Sequence, residues 1–222
     1  MLLLAFDTAT PAVTVAVHDG SDVVAEASGE GAMAHGELLA PAIHAAMADA
    51  GAAMSDLTDV AVGVGPGPFT GLRVGVVTAL TLGSTLGIVT HGVCTLDILA
   101  AELAQGSAIE YEFLVATDAR RKEVYWAHYR ASGGSANRGA ERLDGPHVSY
   151  PADLAELHAG MPVLGRGATL YPDALSVLDG PLDPSAAALA RAVVAGSLRE
   201  FPLEPLYLRR PDATPLVLPK QA

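Results

Sequence analysis

The sequence of 222 residues contains a single cysteine, Cys94. One cysteine cannot form an internal disulfide, so a disulfide framework is excluded and a reducing compartment is favoured. The start also lacks the basic segment of a secretion signal, because the apolar run from Leu2 to Phe6 stops at Asp7. We therefore expect a cytoplasmic protein. The apolar surroundings of Cys94 predict a small buried side chain and not a reactive thiolate.

Positive charge is also scarce. Lys and Arg together number 13 against 25 Asp and Glu, which gives a formal net charge of -12. Affinity for phosphate backbones comes from clustered basic side chains, and the dense clusters here are residues 120–122 and 209–210. Each cluster alone is typical of a solvated loop. Contact with RNA is therefore expected only as a member of an assembly.

Charged side chains are missing from Val74 to Leu96, where His91 alone could ionise. That length could span a membrane. Five threonines, one serine and four glycines interrupt the segment, however, and its spacing changes at Gly87. The pattern predicts a helix followed by a strand and no membrane contact.

Two common catalytic signatures are absent, His-Glu-x-x-His and Gly-x-Ser-x-Gly. His35 and His44 lie nine positions apart and cannot share a helical face as an i, i+4 pair does. His91 has a threonine at i+4. The sequence therefore predicts neither a catalytic metal nor a serine nucleophile.

What the chain does contain is a repeated opening. An apolar run to Phe6, a turn at Asp7, an alternating run from Val13 to Val17 and the hairpin signal Asp19-Gly20 predict an antiparallel meander. Helical and strand patterns follow it in alternation.

The second half begins in the same way. An apolar run from Phe113 to Thr117 precedes a turn at Asp118, and an alternating run begins at Val124. Asp118 lies 118 - 7 = 111 positions after Asp7, half the chain length. We predict an α/β protein with a duplicated, two-lobed, actin-like and Hsp70-like fold, in which helices flank mixed sheets. The predicted lobes are residues 1–107 and 108–222.

Residues 63–83 read as the end of a strand, a glycine-proline turn and a helix, the order found in phosphate-binding loops. Pro66 and Pro68 weaken that interpretation, because each removes a backbone N–H donor.

The helix places Gly71, Gly75, Ala79 and Gly83 at intervals of four, on one ridge with almost no side chains. An interior glycine costs a helix about 0.8 to 1 kcal/mol relative to alanine. A closely packed partner helix is the simplest compensation. On this hypothesis, Gly75→Leu would block pairing by steric exclusion.

The helix predicted from about residue 34 to residue 50 carries an apolar stripe of Leu39, Ile43 and Met47. Arg73, just before an apolar stretch, needs solvent or a carboxylate partner. An alternative remains open for both helices, namely that they pack only on their own sheet.

Four motifs along the chain carry a family resemblance. They are Asp7-Thr-Ala-Thr, Gly65-Pro-Gly-Pro-Phe-Thr-Gly-Leu-Arg-Val-Gly, Asp118-Ala-Arg-Arg-Lys-Glu-Val-Tyr-Trp-Ala and Glu204-Pro-Leu-Tyr-Leu-Arg. Together they resemble the TsaB (YeaZ) family of bacterial tRNA threonylcarbamoyladenosine biosynthesis proteins. Pro68 stands where that family commonly has serine, which should stiffen the turn.

The resemblance implies a non-catalytic scaffold or activator subunit, a pseudoenzyme that pairs with a TsaD-like transferase. It also implies recruitment of a TsaE-like ATPase, contact with tRNA only through the complex, and a homodimer when TsaD is absent. No cofactor is expected in the isolated chain, with ATP or ADP bound at the assembled interface. The implied partner interface comprises Leu39, Ile43, Met47, Thr70, Gly71, Arg73, Gly75, Ala79 and Gly83.

Asp7, Thr8 and Asp118 occupy turns that hold phosphate in related nucleotide-binding folds, but neither turn has the following glycine. We therefore expect degraded nucleotide-site positions, with both aspartates capping their own turns. An alternative of another class is a nucleotide-dependent small-molecule kinase or ATPase of the same fold. A protease acting on partner proteins is a third hypothesis, although it lacks a recognisable nucleophile or metal set.

Overall fold

The computed structural model describes residues 1–30, 35–106, 111–132 and 139–209. Arg210 of the second basic cluster lies outside these ranges. The described strands are β1 Leu3–Asp7, β2 Ala12–His18, β3 Val23–Glu30, β4 Asp59–Gly65, β5 Val89–Cys94, β6 Tyr111–Asp118, β7 Val124–Ser132, β8 Gly139–Ser149, β9 Pro162–Leu164, β10 Ser176–Val177 and β11 Glu200–Phe201. The described α-helices are α1 His35–Asp49, α2 Phe69–Leu86, α3 Thr95–Gly106, α4 Pro151–Leu157, α5 Arg166–Leu170 and α6 Ala186–Val194.

The two sheets repeat one topology. The first has the order β3-β2-β1-β4-β5, extended by β11, and the second has the order β8-β7-β6-β9-β10. In each, an antiparallel meander is followed by a strand that pairs in parallel with its first strand, β4 with β1 and β9 with β6, and then by one more parallel strand, β5 or β10. This repetition confirms the predicted α/β class and the duplicated, actin-like fold.

Alternating side chains of β1 build a core on each face of the first sheet. Leu4 and Phe6 pack with the buried side chains of α1 and α2. Leu3 and Ala5 face the opposite side, where they join Ile98 of α3 and Leu189 of α6. Helices α1 and α2 therefore lie together on one face of the first sheet.

The second sheet packs against α3 on one face and against α4 and α5 on the other. Because α3 also contacts the first sheet, it joins the two lobes. The predicted division between residues 107 and 108 assigns α6 and β11 to the second lobe. Both nevertheless lie on the first sheet, where β11 pairs with β5 and α6 covers β1 and β2. The C-terminal half is therefore not confined to its own sheet.

Helix α6 begins after a proline. The order Asp183-Pro184-Ser185 taken alone is typical of an aspartate N-cap followed by a proline as the first helical residue. In the structure Ser185 is the N-cap, and its hydroxyl accepts a hydrogen bond from the amide of Ala188 at 3.2 Å. Pro184 therefore precedes the helix, and the serine satisfies a free amide of the first turn.

Candidate functional site

Asp7 lies at the end of β1 and has no exposed surface. Its carboxylate accepts hydrogen bonds from the amide of Ala9 at 2.7 Å and from the hydroxyl of Thr95 at 2.8 Å. The Thr95 hydroxyl in turn accepts from the amide of Gly65 at 3.2 Å. Asp7 also packs against Gly63, where a Cβ would lie 1.7 Å from Asp7 Oδ2, so a larger residue would clash there. Buried Asp7 therefore links three backbone segments: the turn after β1, the end of β4 and the start of α3.

Burial raises the pKa of Asp7 to about 6, although its two hydrogen bonds oppose the shift. A raised pKa means that the folded chain disfavours the charged carboxylate. We therefore expect the free energy of unfolding to fall, through this group, by about 2 kcal/mol from pH 4 to pH 7. Asp7→Asn should lack this fall. Urea unfolding of both proteins at the two pH values tests it, and a constant difference between them would contradict it.

The turn after β6 repeats this arrangement near the surface. Asp118 accepts a hydrogen bond from the amide of Arg120 at 2.7 Å, as Asp7 does from Ala9. Arg120, Arg121 and Lys122 all have left-handed backbones, with φ of 60°, 53° and 62°. The Arg120 side chain also forms an ion pair with Asp118 at 3.2 Å. Both aspartates thus cap their own turns.

The glycine-proline loop lies directly on the first turn. A Cβ at Gly67 would come within 2.3 Å of the carbonyl oxygen of Ala9. Thr8 is buried, and its hydroxyl donates to the carbonyl oxygen of Gly71 at 2.8 Å. The beginning of α2 therefore covers the backbone that would face a phosphate.

Only small cavities lie between the two turns. One of about 10 Å³ is bordered by Thr10, Pro68, Thr117 and Asp118 among others, and Arg166 and Asp183 form an ion pair with several hydrogen bonds beside it. A second, of about 160 Å³, lies between Gly67 and the turn that begins at Asp118. The first accommodates about one water molecule, and the second is below the range of about 300 to 1,000 Å³ that is typical of small-molecule sites. Neither is large enough for a nucleotide.

The small-residue ridge of α2 faces its own sheet. A Cβ at Gly71 would lie 2.3 Å from the carbonyl oxygen of Thr8, and one at Gly75 would lie 2.5 Å from the Thr8 hydroxyl. A Cβ at Gly83 would lie 2.3 Å from Thr90, and Ala79 is fully buried. The glycines therefore permit close packing of helix on strand. This corrects the expectation that the ridge accommodates a partner helix.

The expectation that the apolar stripe of α1 contacts a partner is also wrong for the isolated chain, because the stripe is buried. Leu39, Ile43 and Met47 are buried in the core between α1, α2 and the first sheet. The alternative that these two helical faces pack on their own sheet is correct for them. Among the expected interface residues, only Thr70 and Arg73 are exposed.

The outward face of α2 has an apolar centre. Val77 is 57% exposed and Leu80 is 47% exposed, and with Thr70, Arg73 and Ser84 they follow helical spacing. On the adjacent α1, the exposed positions are small or polar, such as Pro41, His44, Ala45 and Ala48. The sequence interpretation missed Val77 and Leu80. The signal was available, because Arg73 marks the solvent side and Val77 and Leu80 lie four and seven residues after it.

Arg73 holds the C-terminal segment against the start of α2. Its guanidinium carbon lies 3.9 Å from the centre of the Phe69 ring, and its Nε donates to the Tyr207 hydroxyl at 3.0 Å. The Phe69 and Tyr207 rings stack with their centres 5.2 Å apart. The need of Arg73 for a polar partner is therefore met by tyrosine and solvent.

Cys94 is fully buried, and burial raises the pKa of its thiol to about 12. The interpretation as a buried apolar residue is confirmed.

His91 pairs with two carboxylates. Its Nδ1 lies 2.6 Å from Glu200 Oε1, and its Nε2 lies 3.2 Å from Asp59 Oδ1. Within the described ranges, no group of three or more His, Cys, Asp or Glu side chains is arranged to hold a metal ion.

Helix α2 is the one described helix with the length and hydropathy of a membrane span. It ends at Leu86, with Gly87 in a left-handed conformation as its C-cap, and β5 follows. The uncharged segment from Val74 to Leu96 is therefore a helix and a strand, as predicted.

Fold and site together define a duplicated actin-like protein whose cleft is closed and whose paired helices expose an apolar strip. The family model described as "TsaD: tRNA N6-adenosine threonylcarbamoyltransferase" matches residues 28–171. The chain is 31% identical to the tRNA threonylcarbamoyladenosine biosynthesis protein TsaB of Escherichia coli over 177 residues, 78% of this chain and 74% of that protein. The chain belongs to the TsaB (YeaZ) family of tRNA threonylcarbamoyladenosine biosynthesis proteins, as the sequence motifs indicated.

Two further relatives cover nearly the whole chain. The chain is 44% identical to the uncharacterized protein ML0378 of Mycobacterium leprae over 97% of its length, but spans only 56% of that protein. The solved structure of YeaZ from Pseudomonas aeruginosa superposes with a TM-score of 0.72 at 28% identity, covering 93% of this chain and 99% of that one.

Proposed function

We propose that the chain is a non-catalytic subunit that pairs with a TsaD-type transferase and supports threonylcarbamoyl transfer to tRNA adenosine. The observation that carries the proposal is the exposed apolar strip of Val77 and Leu80 on α2. Exposed apolar side chains grouped on one helical face are typical of a protein–protein interface. The proposed interface is the outward face of α1 and α2, including Thr70 and Arg73.

The outward face of α1 suits a closely approaching helix. Its exposed positions include Ala40, Ala45 and Ala48, whose short side chains let a second backbone come near. The sequence interpretation assigned close contact with a partner helix to the glycines of α2. We assign that contact to the alanines of α1 instead. Packing of two helices from each partner would bury Val77 and Leu80 at the centre.

The closed cleft supports a non-catalytic role for the isolated chain. Asp7 is engaged with Ala9 and Thr95, and the cavities beside the turns, of about 10 Å³ and 160 Å³, are smaller than a typical small-molecule site. We extend the proposal to the rest of the assembly on the family relationship. A TsaE-like ATPase joins the heterodimer, ATP or ADP binds at the assembled interface, and tRNA is contacted through the complex. In the absence of TsaD, the same face would pair two copies of this chain.

Mixing the purified chain with the TsaD-type protein of the same organism should give a one-to-one heterodimer. Size-exclusion chromatography with light scattering measures it, and transfer of the threonylcarbamoyl group to tRNA by TsaD should depend on the chain. Titration calorimetry of the isolated chain with Mg-ATP should show no tight binding, because neither cavity between the turns is large enough for a nucleotide. Tight binding with ATP turnover would instead favour the kinase or ATPase alternative.

A further inference from the structure

A cavity of about 520 Å³ lies between the second sheet and the end of α6, away from the cleft and from the outward face of α2. Its walls include Asp97 of α3, Glu141 and Arg142 of β8, and residues 195–199 after α6. A volume of this size falls within the range of small-molecule sites. Nothing in the proposed scaffold function uses it.

Arg142 is the unusual member of the lining. Its side chain is only 10% exposed, and its Nη1 is buried with no hydrogen-bond partner among the described residues. Guanidinium groups carry five N–H donors, and buried donors are nearly always satisfied by protein, water or a ligand. An unsatisfied buried arginine beside a cavity therefore indicates a missing acceptor.

Asp97 does not supply that acceptor. Its Oδ1 lies 3.5 Å from Arg142 Nε and accepts the hydroxyl of Tyr129 at 2.6 Å. This contact orients the Nε edge of the guanidinium and partly balances its charge. The Nη edge, which could receive two oxygens of an anion side by side, keeps no such contact.

A second arginine, Arg199, lines the same cavity as Arg142. The guanidinium carbons of Arg142 and Arg199 lie 5.1 Å and 5.6 Å from the centre of the same Phe201 ring. Arg199 is exposed and lines the cavity, whereas Arg142 is deep. On a chain with a net charge of -12, two arginines converging on one cavity form a local site for negative charge.

We propose that this cavity binds a small molecule through a carboxylate or phosphate group held by Arg142 and Arg199. Phe201 orients both guanidinium groups through its ring, and Asp97 fixes the position of Arg142. Glu141 also lines the cavity and opposes the anion, so it weakens binding and selects against highly charged ligands. The site is independent of pairing with TsaD.

The test is an NMR titration of the arginine Nε–Hε signals in the full chain. Sodium phosphate and sodium acetate are added separately, with sodium chloride adjusted to constant ionic strength. A saturable shift of the Arg142 signal is expected with at least one of them. A response to phosphate alone assigns a phosphate-bearing ligand, and a response to acetate assigns a carboxylate. No saturable shift with either anion would overturn the proposal.

Variants distinguish binding at a specific anion site from a general effect of salt on the arginine signals. Arg199→Gln should raise the Kd of the anion about tenfold, since one charged hydrogen bond is lost. Arg142→Lys keeps the charge beside Asp97 but loses the bidentate edge, and should abolish the saturable shift of the Arg199 signal, which remains as the reporter in this variant. Glu141→Gln should tighten binding, whereas Arg191→Gln on the exposed side of α6 should leave it unchanged. Equal responses in the Arg199, Glu141 and Arg191 variants would overturn the assignment.

Discussion

Replacing Val77 and Leu80 together with glutamate should prevent the chain from pairing with a TsaD-type protein and leave its own fold intact. Both side chains are about half exposed, at 57% and 47%, so the isolated chain tolerates charge there. At the centre of an interface, the same charges would be buried without partners. We expect a loss of at least about 2 kcal/mol of binding free energy, roughly a thirtyfold increase in Kd.

The measurement is titration of the labelled chain with the TsaD-type protein, accompanied by urea unfolding of the variant alone. Leu170→Glu on α5 is a matched control, because Leu170 is 49% exposed but lies on the second lobe. The control should bind as the unmodified chain does. If the double variant pairs with undiminished affinity, the outward face of α2 is not the interface.

Gly75→Leu should unfold the chain itself, whether or not a partner is present. Even a Cβ at this position would lie 2.5 Å from the Thr8 hydroxyl and 3.3 Å from Val62 Cγ2. The Thr8 hydroxyl is held by its hydrogen bond to Gly71, so it cannot move without losing that bond. We expect a loss of more than about 3 kcal/mol, beyond the usual cost of inserting methylene groups into a packed core.

Thermal and urea unfolding followed by circular dichroism measure this loss. Gly36→Leu provides the control, because Gly36 is an exposed glycine of α1 whose nearest contact to a Cβ would be Val74 at 3.9 Å. That substitution should leave stability unchanged or raise it slightly, given the low helix propensity of glycine. A Gly75→Leu chain that folds normally and fails only in pairing would restore the partner-helix interpretation of the ridge.

Local sequence patterns predicted the fold well because the meanders are built from local interactions. Alternating apolar residues around Val15, with the Asp19-Gly20 turn, define an antiparallel hairpin without reference to the rest of the chain. The recurrence of an aspartate turn at Asp118 then predicts the second lobe. The contacts of α6 and β11 with the first sheet could not be predicted in this way, because they join residues about a hundred or more positions apart.

The sequence interpretation assigned the candidate interface to faces of α1 and α2 that the structure buries. Small residues every four positions show that something packs closely along Gly71, Gly75 and Gly83, and the structure identifies Thr8 and Thr90 as those neighbours. Sequence spacing cannot distinguish a strand of the same chain from a helix of another. The cavity proposed to bind an anion was missed entirely, since Asp97, Arg142 and Arg199 are separated along the chain and share no motif.

The sequence by itself determined the duplicated α/β architecture, the capped aspartate turns and the TsaB family, because each depends on local spacing or on contiguous motifs. Only the tertiary structure decided which face of α2 is free and that the cleft is closed. Periodicity groups residues by helical face, but burial of a face depends on what the rest of the chain places against it. On α2 the first sheet covers the glycine ridge, so Val77 and Leu80 remain exposed.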